Sequence, residues 1–301
     1  MKVRVGYGLG VAGLHRDDAF GEFVDALERH GFDSLWLSER LTGDAPDPLV
    51  GLAYAAGRST RLKFGTSVLV VPGRNPIVLA KALASLDRLS NGRLLPAFGL
   101  GVADPAEQQG FGVARGERAA WFDEVVPLLR RLWLEDEVDH DGPRFHYERV
   151  RVRPKPVQTP PDVWLGGIAP SELRRVGRLG DGWLPSFVTP ADVAAGRVQI
   201  EKAAAEAGRA IDPEHWGVLV PYVADGAGSG VPDAFISRVA ARRPGVDPAD
   251  LVPVGLEHVV AHLRRFVDEG FSKFVLIPLV EPASWDEELR VLASNVLPLE
   301  T

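Results

Sequence analysis

Residues 62–100 read LKFGTSVLVVPGRNPIVLAKALASLDRLSNGRLLPAFGL. The opening stretch, 62–71, is a β-branched and apolar run that reads as a buried strand. From 76 to 89 the pattern changes, and Ile77, Leu79, Ala80, Leu83 and Leu86 recur at helical spacing. Residues 94–100 return to a strand-like run. Strand, helix and strand thus follow one another with short connections, the signature of a parallel βαβ unit.

The same cycle extends in both directions. Upstream, 3–7 reads as a strand and 17–30 as a helix with Phe20, Val24 and Leu27 on one face. Gly31 sits where a helix C-cap glycine belongs. Strand two at 34–37 and a helix at 48–58 complete the second unit, so 62–71 and 94–100 are strands three and four. Residues 104–161 form a longer excursion over one end of the fold, with one strong helix (117–134) and two short strand-like pieces (145–147, 150–152). Alternation resumes with strand five at 163–165, a helix from Ser171, strand six at 183–185 and a helix at 190–207. Strand seven at 217–223, a variable stretch at 226–253, a helix at 256–269, strand eight at 273–277 and a helix at 285–297 finish the chain. Eight strands, each followed by helical sequence, predict an α/β fold, a (β/α)8 TIM barrel with insertions. A doubly wound open sheet is the alternative. No repeat or linker divides the chain, so one domain over 1–301 is expected.

A formal net charge of −7 with interspersed signs argues against nucleic-acid and anionic-membrane partners. The chain has no cysteine, which excludes disulfides, thiolate metal sites and a cysteine nucleophile. No apolar run approaches the ~18–20 residues needed to span a bilayer. No signal peptide is visible at MKVRVGYG, and a cytoplasmic location is expected.

Gly8, Gly10 and Gly13 match a dinucleotide fingerprint, with Glu39 near the end of strand two as a ribose ligand. However, residues 14–18 intervene before helical periodicity begins, and the βα units continue past one nucleotide-binding half. A loop at a barrel mouth is therefore preferred to a nicotinamide dehydrogenase. His258 and His262 have metal-ligand spacing but lack the carboxylate of a zinc-protease motif, so they read as packing or surface residues, with no metal. Ser38-Glu39-Arg40 falls at the carboxyl end of strand two, where barrel active sites are assembled. Arg40 there is suited to a phosphate, a carboxylate or an electron-rich ring, the bland alternative being an exposed ion pair. Gly166-Gly167, leading into a helix, would let backbone approach a ligand and offer amides to a phosphate. The alternative is a plain tight turn.

These residues together resemble the bacterial luciferase-like monooxygenase family. Gly31-Phe32-Asp33-Ser34-Leu35-Trp36 with Ser38-Glu39-Arg40 resembles its strand-two signature, as do Gly65-Thr66-Ser67-Val68-Leu69, Asn75-Pro76 and Leu79-Ala80-Lys81. The run 86–94, LDRLSNGRL, is the most characteristic. Trp164-Leu165-Gly166-Gly167 and Gly180-Asp181-Gly182-Trp183 follow in the family's order. The closest likeness is to the F420-dependent oxidoreductase subfamily of mycobacterial type.

The resemblance implies a flavin-type ring across the carboxyl ends of the strands. Ser67, Val68 and Val70 would back it, with a non-prolyl cis peptide near Ser67-Val68. Leu100 and Gly101 would approach the ring through backbone atoms, and the coenzyme phosphate would lie at Gly166, Gly167 and Ser171. Arg40 and Glu39 are the candidate catalytic residues. The sugar-phosphate and alcohol dehydrogenases of the family carry a histidine after the acidic residue of strand two and a glutamate just after strand four. Arg40 and Val102 stand there in this chain, which favours reduction or oxygen chemistry over alcohol oxidation. Hydride transfer with coenzyme F420 on a small organic substrate is expected. An FMN-dependent monooxygenase or a non-catalytic flavin-binding protein are the alternatives. Implied partners are a reductase that supplies reduced F420 or flavin, and a second copy of the chain in a homodimer. Pocket walls are expected from 8–14, 41–47, 104–115 and 226–253.

Overall fold

The computed structural model describes residues 1–10, 19–225 and 230–300. The first half runs β1 (Arg4–Gly8), α1 (Ala19–His30), β2 (Ser34–Leu37), α2 (Pro48–Arg58), β3 (Lys63–Thr66) and β4 (Leu69–Val70). It continues with α3 (Pro76–Leu89), β5 (Leu94–Leu95), β6 (Ala97–Gly99), α4 (Pro105–Phe111) and α5 (Arg118–Leu134). A hairpin of β7 (Val138–Asp141) and β8 (His146–Val150) precedes β9 (Trp164–Leu165), α6 (Pro170–Leu179), β10 (Gly182–Trp183) and α7 (Pro190–Glu206). Then come β11 (Gly217–Tyr222), α8 (Asp233–Arg242), α9 (Leu256–Asp268), β12 (Lys273–Pro278) and α10 (Trp285–Val296).

One parallel sheet has the order β11-β12-β1-β2-β3-β5 and a second the order β10-β9-β6-β4. A parallel bridge between Trp183 and Trp216 joins β10 to the start of β11. Strand three is split into β3 and β4 at Ser67-Val68, and strand four into β5 and β6 at Pro96, which has no N–H to give the ladder. Counting each split strand once, the eight parallel positions follow the order of the expected (β/α)8 barrel, carried by two open sheets rather than one closed ladder.

The barrel interior explains several glycines. Trp36, Trp164, Leu184, Leu219 and Val275 form a buried cluster there. A Cβ on Gly65 would lie 2.1 Å from the Trp36 ring, and one on Gly182 would lie 2.6 Å from the Trp164 ring. The wide indoles fill the barrel because facing strands present no side chain. Outside the ring, α1 buries Phe23, Val24 and Leu27 against β1, and Tyr7 of β1 packs on Phe23 and Trp285.

The excursion divides into parts. Residues 105–117 stay at the carboxyl end of the strands, and α5 is the barrel's own helix after strand four. The β7–β8 hairpin lies along α5 rather than over one end: Glu124 accepts N–H from Arg144 and Phe145, Trp121 packs edge-on to Phe145, and Arg131 donates to the Asp139 carbonyl. The stretch 226–253 also contains α8, a helix that the sequence reading treated as variable loop. Among the described residues, no helix is long and apolar enough to cross a membrane.

Candidate functional site

A cavity of about 620 Å3 opens at the carboxyl end of the barrel, and all eight strand positions contribute to its lining. Leu9, Ser38, Val68, Leu100, Gly166, Leu184, Leu219 and Ile277 each come from a different one. That size falls in the usual range for small-molecule sites.

Its floor is built around Val68. The Ser67-Val68 peptide is cis, as the resemblance implied. Val68 stands between two glycines: a Cβ on Gly99 would lie 2.4 Å from Val68 Cγ2, and one on Gly166 would lie 3.2 Å from Val68 Cγ1. The Ser38 hydroxyl donates to the Ser67 carbonyl at 2.9 Å, and the Glu39 N–H donates to the Val68 carbonyl at 3.2 Å. The strand break is therefore pinned from β2 on one side while the glycines open space on the other.

Glu39 is buried behind this ledge. Its Oε2 accepts the Val70 N–H at 2.7 Å, its Oε1 pairs with Arg74, and Arg74 Nε donates to the Val70 carbonyl at 2.9 Å. Burial raises the Glu39 pKa; Arg74 and the Val70 N–H oppose the shift without cancelling it. Glu39 lines the cavity, yet its oxygens are engaged in stapling β2 to β4. That makes it a positioning residue in this arrangement.

Arg40 is partly exposed at the cavity, with Nε 3.4 Å from Glu107 Oε1. Glu107, buried on α4, was not singled out from sequence. It accepts the N–H groups of Leu41 (3.2 Å) and Thr42 (3.1 Å) and the Thr42 hydroxyl (2.9 Å). Burial pushes Glu107 up, but the Thr42 and Leu41 hydrogen bonds and the Arg40 charge outweigh it, holding its pKa below the ordinary carboxylate value. Val102 lines the cavity as an apolar side chain. Beneath it, buried Arg118 donates to the carbonyls of Leu100 (3.2 Å) and Val102 (2.9 Å), which fixes the turn at Gly101, φ +80°.

The sequence-assigned cofactor residues Ser67, Val68, Val70, Leu100, Gly101, Gly166 and Gly167 all line the cavity. Ser171 does not; it is exposed on the first turn of α6. The expected open amides at that helix start are also taken, because Glu172 Oε2 accepts N–H from both Ile168 and Ala169 at 2.9 Å. A glutamate near the helix start, reaching back to the preceding amides, was a legible capping signal. The cation at this end is Arg175, buried one turn further on and paired with Asp123. Gly10, Glu107, Arg115, Phe235, Arg238 and Arg242 line the cavity from the expected loop regions, whereas 41–47 does not. Residues 11–14 and 226–229 lie outside the described residues.

Of the paired histidines, His262 is buried edge-on to Phe266 and His258 bonds the Val254 carbonyl at 2.7 Å. Among the described residues, no group of three or more His, Cys, Asp or Glu side chains could hold a metal ion.

The donor set suits a flat, partly charged coenzyme. Apolar side chains and bare glycine backbone make the floor, and Arg175 adds a cationic group to the lining. Comparison with known proteins adds the following. The model of the luciferase-like monooxygenase family matches residues 6–229. An F420-dependent glucose-6-phosphate dehydrogenase of Kineococcus radiotolerans is 32% identical over 173 residues, covering 54% of this chain and 50% of that relative. The chain thus matches about half the length of the curated relative. Among solved structures, an F420-dependent secondary alcohol dehydrogenase in complex with an F420–acetone adduct superposes with TM-score 0.81 at 18% identity, with all of both chains covered. The monooxygenase RslO1 of Streptomyces bottropensis gives 0.80 at 22% identity, covering 98% of this chain and 99% of that one. Both solved structures speak to the fold.

Proposed function

The chain belongs to the luciferase-like monooxygenase family, and from that premise we propose that it is an oxidoreductase exchanging a hydride between coenzyme F420 and a small organic substrate. The observation that carries this reading is the Val68 ledge. A side chain raised between Gly99 and Gly166 at the barrel mouth gives an apolar, narrow support for one face of a flat ring. Similarity to a relative named as F420-dependent favours the deazaflavin over FMN. Bound there, F420 supplies or accepts a hydride at ring carbon 5.

The protein's own residues supply position and electrostatics. Ser38 and Glu39 hold the ledge from behind, and Arg118 holds the Leu100–Val102 backbone that forms the adjoining wall. Arg175, on α6 in the cavity lining, would meet the coenzyme phosphate. Arg40 would stabilise negative charge that develops on a substrate oxygen. Glu39 accepts from Val70 and Arg74, and Glu107 from the Leu41 amide and the Thr42 amide and hydroxyl, so both are engaged by the protein itself. Neither therefore stands out as the group that would exchange a proton with a substrate oxygen.

Fluorescence titration of the apoprotein with F420 and with FMN tests the proposal. Tight F420 binding with weak FMN binding is the expected result. The reverse would replace it with a reduced-flavin monooxygenase, and binding of neither would overturn the site.

A further inference from the structure

The helix α8 carries three arginines with different fates. Arg243 is anchored: its guanidinium pairs with Asp192 at 2.9 Å and donates to the Phe187 carbonyl. Arg238 and Arg242 lie four residues apart, so they share a helix face, and both line the cavity. Among the described residues, no carboxylate pairs with either of them.

They are nevertheless held in place. The rings of Phe187 and Phe235 stack with centroids 5.2 Å apart and planes 6° from parallel. The Arg242 guanidinium carbon lies 5.0 Å from the Phe187 centroid, and that of Arg238 lies 5.4 Å from the Phe235 centroid. Phe187 itself has φ +59°, a costly conformation for a bulky residue, and the Arg243 contact fixes it. Aromatic faces orient a guanidinium without neutralising it, and the one hydrogen bond given for the pair is from Arg238 Nε to the Ala234 carbonyl at 3.3 Å. Arg40 lines the same cavity and differs from them in having a carboxylate partner, Glu107, at 3.4 Å. Burial and then the Arg40 charge lower the pKa of both Arg238 and Arg242.

Two like charges side by side without a carboxylate are relieved by an anion. We infer that Arg238 and Arg242 form, at the cavity, a binding site for a multiply charged oxyanion, a phosphate or paired carboxylates. The inference rests on the oxidoreductase reading for its biological use, and the anion has two possible carriers. It belongs either to the substrate or to the acidic tail of the coenzyme.

Calorimetric titration with inorganic phosphate at pH 8, with and without saturating F420, tests the inference on the wild type and on the double variant Arg238→Gln/Arg242→Gln. Both side chains are on an exposed helix face, so the variant should fold. Wild type is expected to bind phosphate, and the variant to bind it about 10–100-fold more weakly, the loss expected from two charge-assisted contacts. If F420 leaves phosphate binding intact, the site serves the substrate. If F420 competes with phosphate and the variant also binds F420 more weakly, the site serves the coenzyme tail. Equal phosphate affinity in both proteins, or none in wild type, overturns the inference. Phosphate binding together with failure to bind F420 would instead overturn the coenzyme assignment alone.

Discussion

Replacing Gly99 by alanine tests the ledge directly. The new methyl would stand 2.4 Å from Val68 Cγ2 and 3.3 Å from Val68 Cβ, well inside the ~3.5–4.0 Å of carbon–carbon contact. Val68 has little room to yield. Its carbonyl is bonded by the Glu39 N–H, the Gly166 backbone closes the other side, and a β-branched residue has few χ1 alternatives. The remaining direction is upward, into the space assigned to the ring. Overpacking of this kind costs about 1–3 kcal/mol. Gly99 is not in the left-handed region, so the less flexible unfolded chain returns about 0.4–1 kcal/mol, leaving a net destabilisation of roughly 0.5–2 kcal/mol. Raising Val68 would also weaken F420 by about ten-fold, the equivalent of ~1.4 kcal/mol of lost contact. Denaturant unfolding of the apoprotein and fluorescence titration give the two quantities separately. Gly166→Ala grades the effect, since its Cβ would be 3.2 Å from Val68 Cγ1 and should cost less on both counts. A Gly99→Ala protein with unchanged stability and unchanged F420 affinity, or one less perturbed than Gly166→Ala, would refute the ledge.

Arg40→Ala should lower kcat by about 10²–10³-fold, as for loss of one charge-stabilising donor, with F420 affinity nearly unchanged; equal losses in steady-state rate and coenzyme titration would make Arg40 a binding residue only. Asp87 is buried, and its carboxylate accepts Val157 N–H (2.7 Å), Gln158 N–H (3.0 Å) and Gln158 Nε2 (2.7 Å). Asp87→Asn would turn an amide donor toward those donors and cost about 2–3 kcal/mol in urea unfolding, and a variant as stable as wild type would show that the contacts carry no weight. Burial pushes His262 down to about 4, whereas the unfolded imidazole takes up its proton near 6.5. Stability should therefore be unaffected above about pH 7 and fall by about 2–3 kcal/mol as pH drops from about 6.5 to 4. His262→Phe should flatten that decline, and identical pH profiles for the two proteins would exclude the histidine as its source.

The barrel was legible because its strands and helices alternate with clear periodicity, and helix ends such as Gly31, φ +90°, carry conventional signals. What escaped was local. Pro96 and the Ser67-Val68 turn split two strands that a continuous apolar run concealed. The α8 helix escaped because only Phe235 and Val239 of its ten residues are buried, too few for a periodic pattern between glycine-rich flanks. The role of Glu172 escaped too: its carboxylate takes the Ile168 and Ala169 amides that precede Ser171.

The motif most useful for placing the chain in its family is structural rather than chemical. In the run 86–94, Asp87 ties down the segment that enters β9. Asn91 and Gly92 turn the chain at φ +58° and +76°. Arg93 donates to the carbonyls of Ala56, Ser59, Leu62 and Ser90 while its guanidinium lies 4.8 Å from the Phe64 ring centroid. These contacts preserve the α2–β3–α3–β5 corner, and none of the four residues lines the cavity. Family membership is therefore legible in residues that hold the barrel together. The proposed chemistry rests instead on Arg40 and the other residues that line the cavity, which lie apart from this corner. A substrate for this chain is better sought through the charge of Arg238 and Arg242 than through the identity of its relatives.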